Sequence, residues 1–251
     1  MGSPHRMKDR MTLCAEDHLG TSDGKRQFNA VHFAESAPRY DVATRGLSLG
    51  QDGSWKRALI AGLPDLTAPV CLDVACGTGD VAQLLASRYP DGEIHGLDLT
   101  PGMIDIARRR DGSGRIHFAV GDMGRLDFAD ASIDLITGSY AIRNAPNLDS
   151  TLAEFARVLR PGGCAAFLDF SKPAGRFRQA VQSHLLRFWG GFWGLVLHGN
   201  PRIHGYISSS LKDFPDEEEL VRVFAKHRLH AGTPRPLFFG MMRLHFLRKE
   251  S

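Results

Sequence analysis

The 251-residue chain is short of cysteine and has no long apolar run, and each shortage removes a class of protein. Its four cysteines, Cys14, Cys71, Cys76 and Cys164, form no Cys-x-x-Cys pair. A thiolate zinc site is therefore not expected, and the thiols read as reduced, small apolar groups. No stretch approaches the roughly 18 consecutive apolar residues of a membrane span. The N-terminus is charged where a secretory signal needs an apolar core, so the location reads as cytoplasmic. Long blocks of like charge are missing too, and a net charge of +3 is too mild to mark a nucleic-acid surface. The histidines show no metal-ligand spacing, so no metal is expected. What remains is a chain with 43% hydrophobic residues, long enough for one large α/β domain with an added segment.

The stretch from Val70 to Leu99 organises that domain. A short apolar run punctuated by Asp73 leads into Gly77-Thr78-Gly79. An apolar-periodic segment, a turn at Pro90-Asp91-Gly92 and a second run ending in Asp98 follow. This is the pattern of strand, tight turn, helix, turn and strand. Small residues at Ala75, Gly77 and Gly79 let backbone approach a ligand closely. Asp98, about 20 residues beyond the glycines, is where a carboxylate takes the hydroxyls of a ribose. A dinucleotide fingerprint needs a third glycine, but Ala82 stands there. Asp73 at the head of the loop would repel a pyrophosphate and suit a cation. S-adenosylmethionine (SAM), with an ammonium, a sulfonium, a ribose and no phosphate, fits better than a dinucleotide.

Residues 1–29 are polar and aperiodic and read as a disordered leader, with Met7 or Met11 as other starts. Residues 30–251 form the domain. Within it, residues 30–64 make a helical cap, in which Phe33, Ala37, Tyr40 and Asp41 have helix-like spacing. Strands are expected at Val70–Ala75, Glu93–Leu99, Ile116–Val120, Ile133–Gly138 and Cys164–Phe170. Helices are expected at Asp80–Arg88, Pro101–Arg110 and Asn147–Leu159, the last stopped by Arg160-Pro161-Gly162-Gly163. The alternation predicts a doubly wound parallel sheet with helices on both faces. Ligands of such sheets sit beyond the carboxyl ends of the strands. Asp73, Asp98 with Leu99, Asp122 with Met123, and Ser139 to Asn144 are therefore the candidates. Asp122 could accept from an adenine amine with Met123 against the ring, or be a turn residue.

Residues 173–215 break the alternation as an insertion. Its first part is rich in Phe and Trp, with Arg176, Arg178, His184 and Arg187 interleaved. It reads as core or dimer contact, as the wall of an apolar pocket, or as a membrane-docking surface. Asp216–Lys226 is an amphipathic helix, and Leu229–Thr233 and Phe238–Leu247 are closing strands, the last one arm of an antiparallel hairpin.

The chain from about Phe33 to Phe246 resembles the UbiE/COQ5/MenG C-methyltransferases of ubiquinone and menaquinone biosynthesis. The opening segment Tyr40-Asp41…Ser48…Trp55 is similar to the family's first motif. Asp73-Val74-Ala75-Cys76-Gly77-Thr78-Gly79-Asp80 looks like its SAM loop. Ser139-Tyr140-Ala141-Ile142-Arg143-Asn144 and Arg157 to Gly163, followed by Leu168-Asp169-Phe170-Ser171-Lys172-Pro173, carry the more particular matches. Tyr206-Ile207 to Phe214-Pro215 resembles the family's substrate-side segment. Where the family usually has Met, Asn, His and Glu, this chain has Ala43, Thr44, Asp52 and Asp169, and Arg45-Gly46 is also unusual.

The resemblance implies the class I SAM-dependent methyltransferase fold: a seven-stranded, mostly parallel sheet with an antiparallel last strand and a helical lid. It implies SAM as cofactor, S-adenosylhomocysteine as product, a polyprenylated quinol as acceptor, and a homodimer. Met103 and Tyr140 join the cofactor set with Asp73, Ala75, Gly77, Thr78, Gly79, Asp98, Leu99, Asp122, Met123 and Ser139. Arg143 is expected to stabilise the phenolate of a ring about to be methylated on carbon, or to be a structural ion pair. Tyr40, Asn144, His204 and Tyr206 are expected to position the acceptor or relay a proton, His204 and Tyr206 otherwise serving as surface or packing groups. An O- or N-methyltransferase of another small metabolite and a non-catalytic SAM-binding module remain alternatives. A nucleic-acid methyltransferase is disfavoured, because Ser139-Tyr140-Ala141-Ile142 replaces its Asn/Asp-Pro-Pro-Tyr/Phe tetrapeptide.

Overall fold

The computed structural model describes residue 18 and residues 20–251, apart from the side chains at 198 and 202–205. The chain opens with α1 (Ser22–Ser36), a 3-10 turn (Ala37–Arg39), α2 (Tyr40–Leu47) and α3 (Asp52–Ala61). The alternating core is β1 (Val70–Val74), α4 (Asp80–Arg88), β2 (Glu93–Asp98), α5 (Pro101–Arg110), β3 (Ile116–Val120), β4 (Ile133–Ser139), α6 (Leu148–Val158) and β5 (Leu159–Phe170). Two helices follow, α7 (Arg176–His198) and α8 (Arg202–Ser210). The chain closes with α9 (Glu217–Lys226), β6 (Leu229–Ala231), β7 (Arg235–Leu237) and β8 (Met242–Lys249).

The sheet runs β3-β2-β1-β4-β5-β8-β6, with β7 paired to β8. Strands β1 to β5 are parallel and β8 is antiparallel to its neighbours. The doubly wound sheet and the antiparallel last strand are as expected. The short strand β7 is an addition to the expected seven, and its Pro236 fits an edge position that lacks a ladder donor.

Neighbouring residues of each central strand feed opposite core layers, as the two-residue period requires. Leu72, Ile136 and Phe167 face one layer with Phe155 and Phe224 of α6 and α9. Cys71, Leu135 and Leu168 face the other with Leu59, Leu85 and Ile104 of α3, α4 and α5. Each such side chain, fully buried, contributes roughly 1.5–3 kcal/mol before entropy is subtracted.

Two expectations are corrected here. The leader was placed over 1–29, yet Ser22–Ser36 is a helix, capped by the Thr21 hydroxyl, which accepts from the Gly24 amide at 3.1 Å. Its buried face is Phe28, Asn29, His32 and Ser36. A face so polar leaves no apolar stripe to read in the sequence. Residues 1–17 and 19 of that leader lie outside the described residues. The second correction concerns Arg160 to Gly163, read as a stop before β5. The strand starts at Leu159, and the register slips between Ile133↔Leu159 and Leu135↔Cys164, so the Pro-Gly-Gly stretch is absorbed as an irregularity within the strand.

Candidate functional site

A narrow cleft lies over the carboxyl ends of β1 to β4, where a doubly wound sheet puts its ligand. Ala75, Gly77, Asp98, Leu99, Met103, Asp122, Met123, Ser139 and Tyr140 line it, as the sequence predicts. The loop after β1 is bent by left-handed residues, Ala75 at φ +50 and Gly77 at φ +54. Gly77 takes this conformation at no steric cost, and its amide donates to Asp98 Oδ2 at 2.9 Å. The Thr100 amide donates to Asp98 Oδ1 at 2.8 Å. Burial pushes the Asp98 carboxyl up while these two amides pull it down. The Thr100 hydroxyl bonds the carboxylate as well, and the pair of oxygens, with about four lone-pair sites, keeps one for a ribose hydroxyl.

Three predicted cofactor residues stand elsewhere. The Thr78 hydroxyl donates to Asp41 Oδ1 at 2.8 Å and so ties the loop to α2. Gly79 caps α4 at φ +88, and a Cβ there would lie 2.9 Å from Phe118 Cζ. Its smallness serves packing against β3, and neither residue borders the cleft. Asp73 is buried inside β1: it accepts from the Thr137 hydroxyl at 2.8 Å, and its Oδ2 has no partner among the described residues. Burial pushes this carboxyl up to about 7.

The helical lid brings two cleft residues that the sequence reading missed, Asn29 and Phe33. Asn29 donates to the Asn144 carbonyl at 2.7 Å. It lay in the segment read as leader, so only the tertiary fold reveals it. Arg26, from the same segment, donates to Asp122 Oδ2 at 2.7 Å, and the Gly124 amide takes Oδ1 at 2.8 Å. Asp122 is therefore both a turn residue and a clamp on the lid, with a lone pair left for an amine.

The free space in the cleft is about 60 Å³. The donor set matches a nucleoside: a carboxylate at Asp98 for a ribose and a backbone bare of side chains at Gly77.

A second cavity of about 430 Å³ adjoins the cleft and is mostly apolar. Tyr40, Tyr140 and Asn144 border both spaces. Arg143 and Tyr206 line the cavity with His32, Trp55, Phe170 and Phe238. Helix α7 closes it with Leu185, Leu186, Phe188 and Trp189, so the Phe/Trp-rich segment supplies a pocket wall. Of the five residues predicted to act on an acceptor, the fold gathers Tyr40, Arg143, Asn144 and Tyr206; the His204 side chain lies outside the described residues.

Arg143 is a buried cation, with its guanidinium 5.3 Å from the ring centres of both Phe170 and Tyr206. Its Nη1 donates to the Ser210 hydroxyl, and its backbone amide donates to Asp169 Oδ2 at 3.0 Å. Burial opposes the charge, but Tyr206 and Asp169 outweigh it and the guanidinium is held protonated. The Asn144 amide nitrogen donates to the Tyr140 carbonyl at 2.8 Å, while its buried Oδ1 has no partner among the described residues. Burial pushes the hydroxyls of Tyr40 and Tyr140 far up, so both stand in the cavity as neutral phenols.

Such a site joins a cleft suited to a nucleoside to an apolar chamber with a buried arginine in its described lining, an arrangement suited to moving a small group onto an apolar acceptor. Comparison with known proteins agrees. A profile of the ubiE/COQ5 methyltransferase family matches residues 22–249. The chain is 39% identical over 220 residues to the demethylmenaquinone methyltransferase of Deinococcus radiodurans, covering 85% of this chain and 89% of that one. It is 32% identical over 200 residues to the ubiquinone/menaquinone biosynthesis C-methyltransferase UbiE of Desulfotalea psychrophila, covering 80% and 79%. Among solved structures, a Haloferax volcanii methyltransferase in complex with the Trm112 activator superposes with a TM-score of 0.65 at 19% identity, covering 87% of this chain and 98% of that one, which supports the class I fold. With a match over nearly all described residues and relatives this similar, the chain belongs to the ubiE/COQ5 methyltransferase family.

Proposed function

We propose that this enzyme transfers the methyl group of SAM to a ring carbon of a polyprenylated quinol, with the reduced form of demethylmenaquinone, the quinone in the names of several relatives, as the first candidate. The observation that carries this reading is the junction at Tyr40, Tyr140 and Asn144, where the nucleoside cleft opens on a chamber whose wall holds the charged Arg143. SAM supplies an electrophilic methyl on a sulfonium and departs as S-adenosylhomocysteine. The chain's own residues do the rest. Tyr40 and Asn144 hold the ring in line with the methyl, which lowers the barrier by several kcal/mol through orientation alone. Arg143 cannot take a proton because it remains charged, but a cation in an apolar chamber stabilises the phenolate that makes the ring carbon nucleophilic.

A polyprenyl tail needs an apolar way out. Leu185 and Phe188 of α7 line the chamber and are also exposed, and Phe177 and Phe192 extend the exposed stripe. In this reading the stripe meets the lipid that dissolves the tail, and Arg176, Arg178 and Arg187 face the headgroups. No described helix is long and apolar enough to cross a membrane, so the contact is peripheral.

Labelled SAM offered with demethylmenaquinol or polyprenyl benzoquinol under reducing conditions tests the proposal. Methylation of a ring carbon, located by NMR, is the expected result. A methyl on oxygen would make the protein an O-methyltransferase instead, and SAM binding without transfer to either quinol would remove the quinol from the reading.

A further inference from the structure

Asp52 sits in the first turn of α3, behind the wall shared by the cleft and the chamber. The Tyr140 hydroxyl donates to Asp52 Oδ1 at 2.6 Å. Tyr140 borders both apolar spaces, and Asp52 borders neither. Asp52 instead faces a polar groove of about 550 Å³ on the outer side, together with Asp41, Arg45, Arg57, Asp80 and Arg110. Its Oδ2 lies 2.7 Å from Lys56 Nζ. Lys56 reaches Asp80 at 3.0 Å, Asp80 reaches Arg110 at 2.8 Å, and Arg110 reaches Asp41 at 2.9 Å. The hydrogen bond from Tyr140 to Asp52 is thus a polar crossing from an apolar chamber to a polar groove. Tyr140 holds a left-handed backbone, φ +59, which an L-residue adopts at a cost and only where its surroundings impose it.

Methylation of a neutral quinol releases one proton, and of the titratable groups lining the chamber, His32, Tyr40, Tyr140, Arg143 and Tyr206, it is Tyr140 whose hydroxyl is bonded to a carboxylate outside it. Arg143 stays protonated, and Asp169 is engaged by Arg143 and by the backbone amides of Arg143 and Phe170. We propose that Asp52, acting through Tyr140, receives the phenolic proton of the acceptor and passes it to solvent in the groove. The acceptor O–H bond breaks and leaves its electron pair on oxygen. The Tyr140 oxygen gains that proton as its own hydroxyl proton moves to Asp52 Oδ1. The ring carbon then bonds the methyl as the S–CH3 bond breaks and the phenolate oxygen becomes a carbonyl; the C–H bond at that carbon breaks, its electron pair restores the aromatic ring, and the proton moves to the carbonyl oxygen to give back a hydroxyl. One proton remains on Asp52 and leaves through the groove. Lys56 and Tyr140 face Asp52 directly, with Tyr40 near it, and Asp80, Arg45, Arg57, Arg110 and Asp41 surround the groove. Burial opposes the Lys56 charge, but Asp52 and Asp80 outweigh it, so a cation stands ready to rebalance the carboxyl after each turnover.

This relay rests on the quinol reading, and two measurements separate the fates of the two. The first is the spectrum of 1-naphthol bound to the enzyme with S-adenosylhomocysteine at neutral pH. The unaltered protein is expected to show the naphtholate band, and Asp52→Asn and Tyr140→Phe the neutral naphthol. Failure of 1-naphthol to bind would remove the aromatic-acceptor reading and the relay with it. Binding without ionisation in the unaltered protein would overturn the relay alone. The second is the pH profile of turnover with demethylmenaquinol. Both variants are expected to be about 100-fold slower at pH 7 and to recover roughly tenfold per pH unit as the quinol ionises unaided. A loss equal at every pH would mean a structural role and overturn the relay. Unchanged affinity of Asp52→Asn for S-adenosylhomocysteine reports that its fold is intact.

Discussion

Arg143 and Asp169 form an ion pair in the wall of the acceptor chamber, Nε to Oδ1 at 3.4 Å, and each side chain is only 2% exposed. The residue expected to activate the acceptor is therefore half of a buried pair, the structural reading that the sequence also offered for it. Removing one partner leaves the other charge without compensation. Arg143→Ala is expected to lose about 3–5 kcal/mol of stability as well as turnover. Adding Asp169→Asn is expected to recover part of the stability and none of the turnover. Urea unfolding and turnover of the two single variants and the double variant check this, because the cycle isolates the pair.

Asp73 is expected to trade stability for ligand affinity. Its carboxyl titrates at about 7 in the fold, above the range of an unfolded chain. A raised value means that its contribution to stability is full at acid pH and is lost as pH rises through about 7. Asp73→Asn is therefore expected to stabilise the protein at pH 8.5, by on the order of 3 kcal/mol, and less at pH 5. The same change removes a negative charge from beneath the SAM loop, so SAM affinity should fall at least several-fold. Unfolding at the two pH values and calorimetry with SAM test both halves.

Gly46 of α2 faces Trp193 of α7, where a Cβ would stand 2.6 Å from Trp193 Cε2. Gly46→Ala must push the two helices apart or turn the indole, at a cost of about 1–3 kcal/mol. Both helices line the acceptor chamber, so KM for the quinol is expected to rise while SAM affinity changes little. Steady-state kinetics with each substrate varied in turn would show this.

The stripe on α7 offers a test of lipid contact. Phe177 is 82% exposed and Phe188 77% exposed. Phe177→Asp with Phe188→Asp is expected to reduce co-sedimentation with anionic vesicles at least tenfold, with little change in unfolding temperature, because neither ring is part of the core. Unchanged sedimentation together with a loss of dimers would show that the stripe meets a second copy of the chain instead.

Local signals carried most of the alternating core. Helix α4 starts after Gly79 and ends at Arg88, and α5 starts at Pro101, because caps and punctuating residues act on their neighbours. Strands β1 to β5 were legible from short apolar runs between such signals, and the glycine turn after β1 and the carboxylate ending β2 from their spacing. Where side chains meet across the chain, the sequence had little to say. Asn29 and His32 lie on a buried helix face that is polar, so no periodicity marks α1. Gly79 looked like a ligand-facing glycine, but its missing Cβ makes room for Phe118. Asp52 stood out only as a departure from a family pattern, since its partner Tyr140 is 88 residues away. By itself the sequence determined the strands, the helices between them and the carboxylate at the end of β2, because these depend on propensity and near neighbours. Only the tertiary structure decided which polar groups share a chamber and which carboxylate stands behind a tyrosine, because those contacts exist only once distant segments pack and exclude water between them.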